Sequence, residues 1–126
     1  MSVLGLGLDL CPIERMEQAI GRHGDRFVER IFTALETSHC NAAGRPFECM
    51  AGRFAAKEAA SKALGAPKGI GWHDVEVIPA VRGERGPQVV LRGRAREVAD
   101  ARGVTSMMIS ITHAAGMAAA VAVAVG

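Results

Sequence analysis

Residues 53–62 read Arg-Phe-Ala-Ala-Lys-Glu-Ala-Ala-Ser-Lys, and this stretch decides the fold. Its alanines favour a helix and let a neighbouring backbone approach closely. Gly65 follows at the position of a C-terminal stop. We therefore predict a long helix over residues 47–64. Its apolar positions recur at helical spacing and are Phe47, Met50, Ala51, Phe54, Ala55, Ala59 and Ala63.

Four shorter elements precede this helix. Glycine alternates with valine or leucine in residues 3–9, which predicts a strand. Helical spacing follows, broken at Gly21 and Gly24, and Thr33 and Glu36 have the spacing of a capping box. The predicted elements are a strand, two helices and the start of a third, over residues 3–9, 12–20, 27–31 and from 33 onward, before a loop at residues 41–46.

The second half of the chain has the pattern of a sheet with one helix. The final strand alternates valine with alanine, so it lies centrally in the sheet or under another subunit. The element order predicts one α+β domain, residues 1–126, with a mainly antiparallel sheet packed against the long helix. In chain order we predict a loop at residues 66–72, strands at 75–79 and 88–91 joined by a turn at 83–86, a helix at 95–101, and strands at 107–112 and 118–125.

Composition limits the class of protein. Of the 126 residues, 49% are hydrophobic, 22% charged and 4% aromatic, which fits one globular domain and excludes disorder. A net charge of +2 and few aromatic side chains argue against nucleic-acid binding. No stretch has the pattern of a signal peptide or the length of a membrane span, which favours the cytoplasm. The small apolar side chains favour oligomerisation, because subunit contacts enlarge a thin core.

The cysteines suggest little chemistry. Cys11, Cys40 and Cys49 are odd in number and contain no CxxC pair. This pattern argues against a disulfide scaffold and against a zinc ribbon, and it favours a reducing compartment.

Four polar residues are candidates for chemistry: Asp9, Glu58, Lys62 and His113. Residues 5–9, Gly-Leu-Gly-Leu-Asp, lack the third glycine of a dinucleotide fingerprint, so that interpretation fails. Asp9 then ends a strand as a helix N-cap, an ion-pair partner or a functional acid. His113 ends Ser110-Ile-Thr-His, either as a turn residue or as a group for phosphate contact or proton transfer.

Phe54, Glu58 and Lys62 share one face of the long helix, because they are spaced four residues apart. Phe54 and the neighbouring alanines turn that face inward, which places both charges at a buried edge where an unpaired charge is costly. The pair is either an ordinary ion pair or a carboxylate for a divalent cation beside an ammonium for phosphate. Together with Asp9 it matches the usual way of holding Mg²⁺, by carboxylates and substrate phosphates. That arrangement indicates phosphoryl-type chemistry on a pyrophosphate.

Several motifs resemble those of the holo-acyl-carrier-protein synthases, which are short 4'-phosphopantetheinyl transferases. Residues 5–9 with Arg15 are similar to the N-terminal signature of that family, and residues 53–65 are similar to its most specific motif. Residues 110–113 resemble its closing motif, with Thr112 in place of the usual serine and Met117 near the position of an aromatic residue. Segments in family order between and after the first two motifs are residues 30–36, 72–77 and 86–87.

The resemblance implies a definite reaction. The 4'-phosphopantetheine arm of coenzyme A is transferred to a serine of apo-acyl carrier protein, as in fatty acid biosynthesis, and adenosine 3',5'-bisphosphate is released. It implies Asp9 and Glu58 as Mg²⁺ ligands, Glu58 or a metal-bound water as the base, and Lys62 as the group that stabilises the departing phosphate. The implied coenzyme A contacts are Phe54, Lys62, Thr112 and His113.

The resemblance also implies an assembly. Members of the family are commonly trimers with the active site at the subunit boundary, and the strand at residues 118–125 is the candidate for packing near the trimer axis. Basic side chains of the first helix meet the acidic carrier protein, and the candidates are Arg15, Arg22 and Arg26. Two alternatives stay open: a non-catalytic nucleotide- or carrier-binding module, and a structural oligomerisation domain. Carrier-protein specificity and a preference for Mg²⁺ over Mn²⁺ do not follow from the residues.

Overall fold

The computed structural model describes residues 1–80 and 86–126, and its elements follow the predicted order. The strands are β1 (Val3–Pro12), β2 (Val75–Ile78), β3 (Gln88–Leu91), β4 (Ser106–Ala114) and β5 (Met117–Val125). The helices are α1 (Ile13–Ile31), α2 (Ala34–Ala42), α3 (Pro46–Ala63) and α4 (Gly93–Ala101), and a 3-10 turn covers Trp72–Asp74.

The strands form one antiparallel sheet in the order β1-β5-β4-β3-β2. The prediction that the last strand lies centrally is confirmed, since β5 pairs with β1 on one side and β4 on the other. In contrast, β3 and β4 pair directly only at Gln88 and Met108, so the sheet opens between these two strands.

The long helix α3 packs across β1, β5 and β4. Small side chains line both sides of this contact and are almost completely buried: Ala55, Ala56, Ala59 and Ala60 on α3, and Ala118, Ala120, Ala122 and Ala124 on β5. The predicted α+β fold, an antiparallel sheet against a long helix, is therefore confirmed. The helix ends where Gly65 adopts a left-handed conformation (φ +88°), as its sequence position predicts.

The first helices differ in detail from the prediction. Gly21 stays helical, whereas Gly24 (φ 63°, ψ −149°) breaks the helical path within α1. The capping box is confirmed: the Thr33 hydroxyl accepts from the Glu36 amide, and Glu36 Oε1 accepts from the Thr33 amide. In the second half, α4 begins two residues before its predicted start. Of the predicted turn at residues 83–86, residues 83–85 lie outside the described residues.

The cysteine pattern argued against a disulfide scaffold and did not predict the one disulfide that the structure contains. Cys40 on α2 and Cys49 on α3 form one, with their Cα atoms 5.4 Å apart. The two cysteines do not have CxxC spacing. The packing of α2 against α3 brings their sulfur atoms within bonding distance. Cys11 remains a buried free thiol, which explains the odd count. The cysteine pattern therefore no longer supports a reducing compartment.

The second face of the sheet is open. The leucines of β1 point away from α3, and Leu6, Leu8 and Leu10 are 66%, 62% and 58% exposed. Their partners on β5 are Val123, Val121 and Ala119, which extend the same apolar surface. Among the helices of the described residues, none is long and apolar enough to cross a membrane.

Candidate active site

The site is built where β1 and α3 touch without intervening side chains. A Cβ atom at Gly5 would overlap the carbonyl oxygen of Ala63, and one at Gly7 would overlap that of Ala59. Glycine is therefore required for this approach of strand and helix. The contact brings Asp9, two residues further along β1, next to the exposed edge of α3.

Lys62 joins the two elements. Its Nζ donates to the carbonyl oxygen of Leu8 at 3.0 Å and to Asp9 Oδ1 at 3.3 Å. The lysine side chain is half exposed, so the ion pair adds at most about 1 kcal/mol to the stability of the fold. The ion pair matters for the geometry of the site, because it places the Lys62 ammonium group beside the Asp9 carboxylate near the end of β1.

Glu58 completes a cluster of three. Burial and the nearby charge of Asp9 raise the pKa of the Glu58 carboxyl, and the Lys62 ammonium partly offsets them. The two carboxylates thus repel each other, and a cation between them relieves that repulsion. The structure brings Asp9, Glu58 and Lys62 together as the sequence predicts.

The donor set fits a hard divalent cation. Two carboxylates supply oxygen ligands, which Mg²⁺ prefers, and Mg²⁺ usually retains water and binds substrate phosphates as well. No group of three or more His, Cys, Asp or Glu side chains within residues 1–80 and 86–126 could hold a metal. A cation at this place would therefore draw its other ligands from substrate and water.

An aromatic pair borders the cluster. The ring of Phe54 stacks on Trp72, with centroids 5.1 Å apart. Phe54 and Glu58 are both half-buried, so this face of α3 is a partly open edge and not the inward face that was expected. Beside Glu58 lies a small pocket of about 70 Å³, whose lining also includes Ser61, Ile70 and Trp72.

The closing motif lies elsewhere in the fold. His113 Nε2 donates to the carbonyl oxygen of Glu48 at 2.9 Å, and its ring packs against Gly52. Gly52 precedes Glu58 by six residues, which is about 9 Å along the helix axis and about 120° around it. Thr112 is exposed beside His113. The structure therefore does not bring Thr112 and His113 into the cluster of Asp9, Glu58 and Lys62.

A larger cavity, of about 550 Å³, lies at a different place. It opens between β3 and β4, where the sheet is splayed, and α4 borders it. Its lining contains neither of the clustered carboxylates, so it is not part of the candidate active site.

A family model for the 4'-phosphopantetheinyl transferase superfamily matches residues 5–117. The chain belongs to this superfamily. It is 45% identical to the holo-[acyl-carrier-protein] synthase of Desulforudis audaxviator, over 98% of this chain and 94% of that protein. Against the enzyme of the same name from Moorella thermoacetica the identity is 42%, over 95% and 92%. The prediction of an enzyme of the holo-acyl-carrier-protein synthase type is confirmed.

Solved structures of the superfamily share the fold. The holo-[acyl-carrier-protein] synthase of Helicobacter pylori in complex with coenzyme A superposes with a TM-score of 0.81 at 31% identity, covering 95% of this chain and 99% of that one. The enzyme from Neisseria meningitidis gives 0.85 at 27% identity, covering 99% and 100%. The predicted phosphopantetheinyl transferase-like fold is therefore confirmed.

The predicted carrier-binding arginines of this phosphopantetheinyl transferase are all exposed on α1. Arg15 and Arg22 are seven residues apart and share a helix face. Arg26 lies beyond the break at Gly24 and does not continue the same helical path.

Sequence reasoning missed one feature next to the candidate site, a buried ion pair formed by Lys57, the residue before Glu58 on α3. Lys57 Nζ lies 2.8 Å from Glu36 Oε1, and both side chains are almost completely buried. Glu36 was interpreted as part of a capping box and of a segment that resembles the family, and its pairing with Lys57 was not predicted. A signal was available, because Lys57 follows the core residue Met50 by seven positions and so lies on its buried face.

Proposed function

We propose that this transferase moves the 4'-phosphopantetheine arm of coenzyme A onto a serine of apo-acyl carrier protein, in fatty acid biosynthesis. The observation that carries the proposal is the convergence of Asp9, Glu58 and Lys62 at the contact between β1 and α3. The relatives agree with it, since they are holo-[acyl-carrier-protein] synthases, and the structure of the Helicobacter pylori enzyme is solved with coenzyme A.

The reaction we propose depends on Mg²⁺, held by Asp9 and Glu58. When bound, the ion neutralises negative charge on the pyrophosphate of coenzyme A. The support for this assignment is the pairing of two carboxylates at one place: burial first, and the charge of Asp9 second, raise the pKa of Glu58. Substrate phosphate and water would supply the other ligands.

Proton transfer and the leaving group fall to Glu58 and Lys62. The serine oxygen forms a bond to the phosphorus that carries the pantetheine arm, and the bond from that phosphorus to adenosine 3',5'-bisphosphate breaks. Glu58, or water beside it, takes the serine proton. An ammonium has three N–H donors. Among the described residues Lys62 uses two of them, on Leu8 and Asp9, which leaves the third for the departing phosphate.

A homotrimer with its sites at subunit boundaries accounts for the position of the closing motif. Thr112 and His113, our candidates for phosphate contacts, lie apart from Glu58 in one protomer, so a neighbouring copy would supply them to the site. Phe54 is the candidate coenzyme A contact on the Glu58 side. The exposed leucines of β1 offer an apolar face for the assembly. Alternate residues of β5 belong to the same apolar face as these leucines. The alanines of β5 between them point to the other side of the sheet and lie under α3.

We also propose that the exposed Arg15, Arg22 and Arg26 bind the acidic carrier protein, with electrostatic attraction accelerating encounter. The whole chain, residues 1–126, acts as one domain in this proposal. Its cytoplasmic location stays a prediction.

The deciding experiment is mass spectrometry of apo-acyl carrier protein after incubation with coenzyme A, Mg²⁺ and the enzyme. We expect a gain of one phosphopantetheine, its loss on chelation, and its recovery when Mg²⁺ is restored. Asp9→Asn and Glu58→Gln should each lower turnover at least about 100-fold, since removal of even a group that only hydrogen-bonds to a metal ligand costs about 10- to 100-fold in metal affinity or activity. Glu17→Gln, an exposed carboxylate on α1, is the matched control. Unmodified carrier protein with the unaltered enzyme would refute the reaction.

A further inference from the structure

The buried pair of Lys57 and Glu36 has all its strong hydrogen-bonding groups satisfied. Besides its contact with Glu36, Lys57 Nζ donates to the carbonyl oxygens of Trp72 at 2.9 Å and Val75 at 2.6 Å. These three acceptors match the three donors of an ammonium group. The Glu36 carboxylate in turn accepts from the backbone amide of Val77 at 2.8 Å, in addition to its capping bond.

Stability alone does not account for such a pair. Removing two charges from water is costly, and replacing a buried ion pair with apolar side chains of similar volume is often neutral or stabilising. What the pair does provide is a fixed position for the backbone groups that it binds. It ties three parts of the fold, α2, α3 and the segment from Trp72 to Val77, at defined atoms.

The tied segment forms one wall of the pocket beside Glu58. The two carbonyls that Lys57 holds belong to Trp72 and Val75, so they bracket the 3-10 turn. Both residues line the pocket, as does Glu58 from the neighbouring position on α3. The indole of Trp72 also stacks on Phe54, so a shift of this turn would move the aromatic border of the site.

We propose that Lys57 and Glu36 are positioning residues for the transfer reaction. By holding the Trp72 and Val75 carbonyls, they fix the wall that faces Glu58 and so orient the substrate against that carboxylate. The inference rests on the proposed function of Glu58. Lys57 itself does not reach the reacting atoms, because its ammonium is enclosed by Glu36 and the two carbonyls.

The double variant Glu36→Met/Lys57→Met tests the proposal, since it removes the tether without leaving one charge unpaired. We expect kcat to fall about 10- to 100-fold, because small displacements in a site have such effects. Trp72 is the only tryptophan of the chain, so its fluorescence reports directly on the wall. Its quenching by acrylamide should increase in the absence of any substrate.

The control for a general loss of stability is Val98→Ala, which opens a cavity in the buried face of α4. It should leave both kcat and the quenching of Trp72 unchanged at a temperature where each variant is folded.

Should the double variant fail to fold, Lys57→Arg replaces it. That variant keeps the charge beside Glu36, but a planar guanidinium does not reproduce the three directions of an ammonium. The same losses are then expected.

Wild-type values of kcat and of Trp72 quenching in a folded variant would overturn the positioning role. So would a loss of activity without a change in quenching, because the wall would then be intact. Failure of the proposed function has a different signature: the unaltered enzyme would not modify the carrier protein. The quenching measurement needs no turnover, so the two failures are distinguishable.

Discussion

Gly7 on β1 and Ala59 on α3 touch backbone to backbone, and a Cβ atom at position 7 would overlap the Ala59 carbonyl oxygen. Asp9 and Glu58 flank this contact, one on each element. The close approach of the two elements that carry these carboxylates therefore depends on the absence of a side chain at Gly7, as it does at Gly5.

Gly7→Ala should separate the strand from the helix. Because the obstructing atoms belong to the backbone, we expect a loss of about 1–3 kcal/mol in the free energy of unfolding. Metal-dependent turnover should fall as the carboxylates move apart. Gly21→Ala is the matched control, since it meets no atom within 4 Å and lies in a helix, where alanine is favoured. Urea unfolding and turnover at several Mg²⁺ concentrations measure both effects, and an unchanged Gly7→Ala enzyme would contradict the packing argument.

Lys62→Met should raise the pKa of Glu58 further. Burial and Asp9 already hold that pKa above the ordinary value of 4.5, and the Lys62 ammonium lowers it. Without the ammonium, protons compete with a metal at Glu58 up to a higher pH, so metal binding should be lost earlier as the pH falls. NMR titration of the labelled Glu58 carboxyl without metal measures the shift. Lys68→Met, an exposed lysine outside the cluster, should leave the titration unchanged.

Reduction of the Cys40–Cys49 disulfide should lower stability. The bridge closes a loop with a sequence separation of 9 residues. Chain entropy for a loop of that size corresponds to about 2–3 kcal/mol. Thermal unfolding with and without dithiothreitol tests this, and the Cys40→Ala/Cys49→Ala variant should not respond to the reductant. Equal stability of the oxidised and reduced enzyme would show that helix packing alone holds α2 in place.

Arg22→Gln should weaken carrier-protein binding without slowing the chemical step. Arg22 is exposed on α1 and lies outside the cluster of Asp9, Glu58 and Lys62. We expect the KM for the carrier protein to rise several-fold at low salt, kcat to stay constant, and the difference to shrink as salt screens the attraction. Arg96→Gln on α4 is the matched control. A fall in kcat at unchanged KM would assign Arg22 to a different role.

Local patterns predicted most of the fold. The capping box at Thr33, the glycine at position 65 and the alternation of β5 are signals carried by neighbouring residues, and each produced the expected element. The cluster of Asp9, Glu58 and Lys62 was also predictable, since two motifs supply it.

Features that depend on packing between distant segments were not predictable in this way. The disulfide joins residues that two helices bring together, and Lys57 meets Glu36 only because α2 lies on α3. His113 was grouped with Glu58 by residue type, whereas its contact with the Glu48 carbonyl depends on how β4 crosses α3. Spacing along the chain carries no information about such crossings.

The open face of the sheet makes this chain one half of a layered structure. Helix α3 covers one side, while the leucine row of β1 on the other side has no covering layer among the described residues. If further copies of the chain provide that layer, as in the proposed trimer, part of the folding free energy becomes association free energy. Mass action then enters the stability of the protein: its melting temperature rises with protein concentration, and dilution weakens the fold and the active site together.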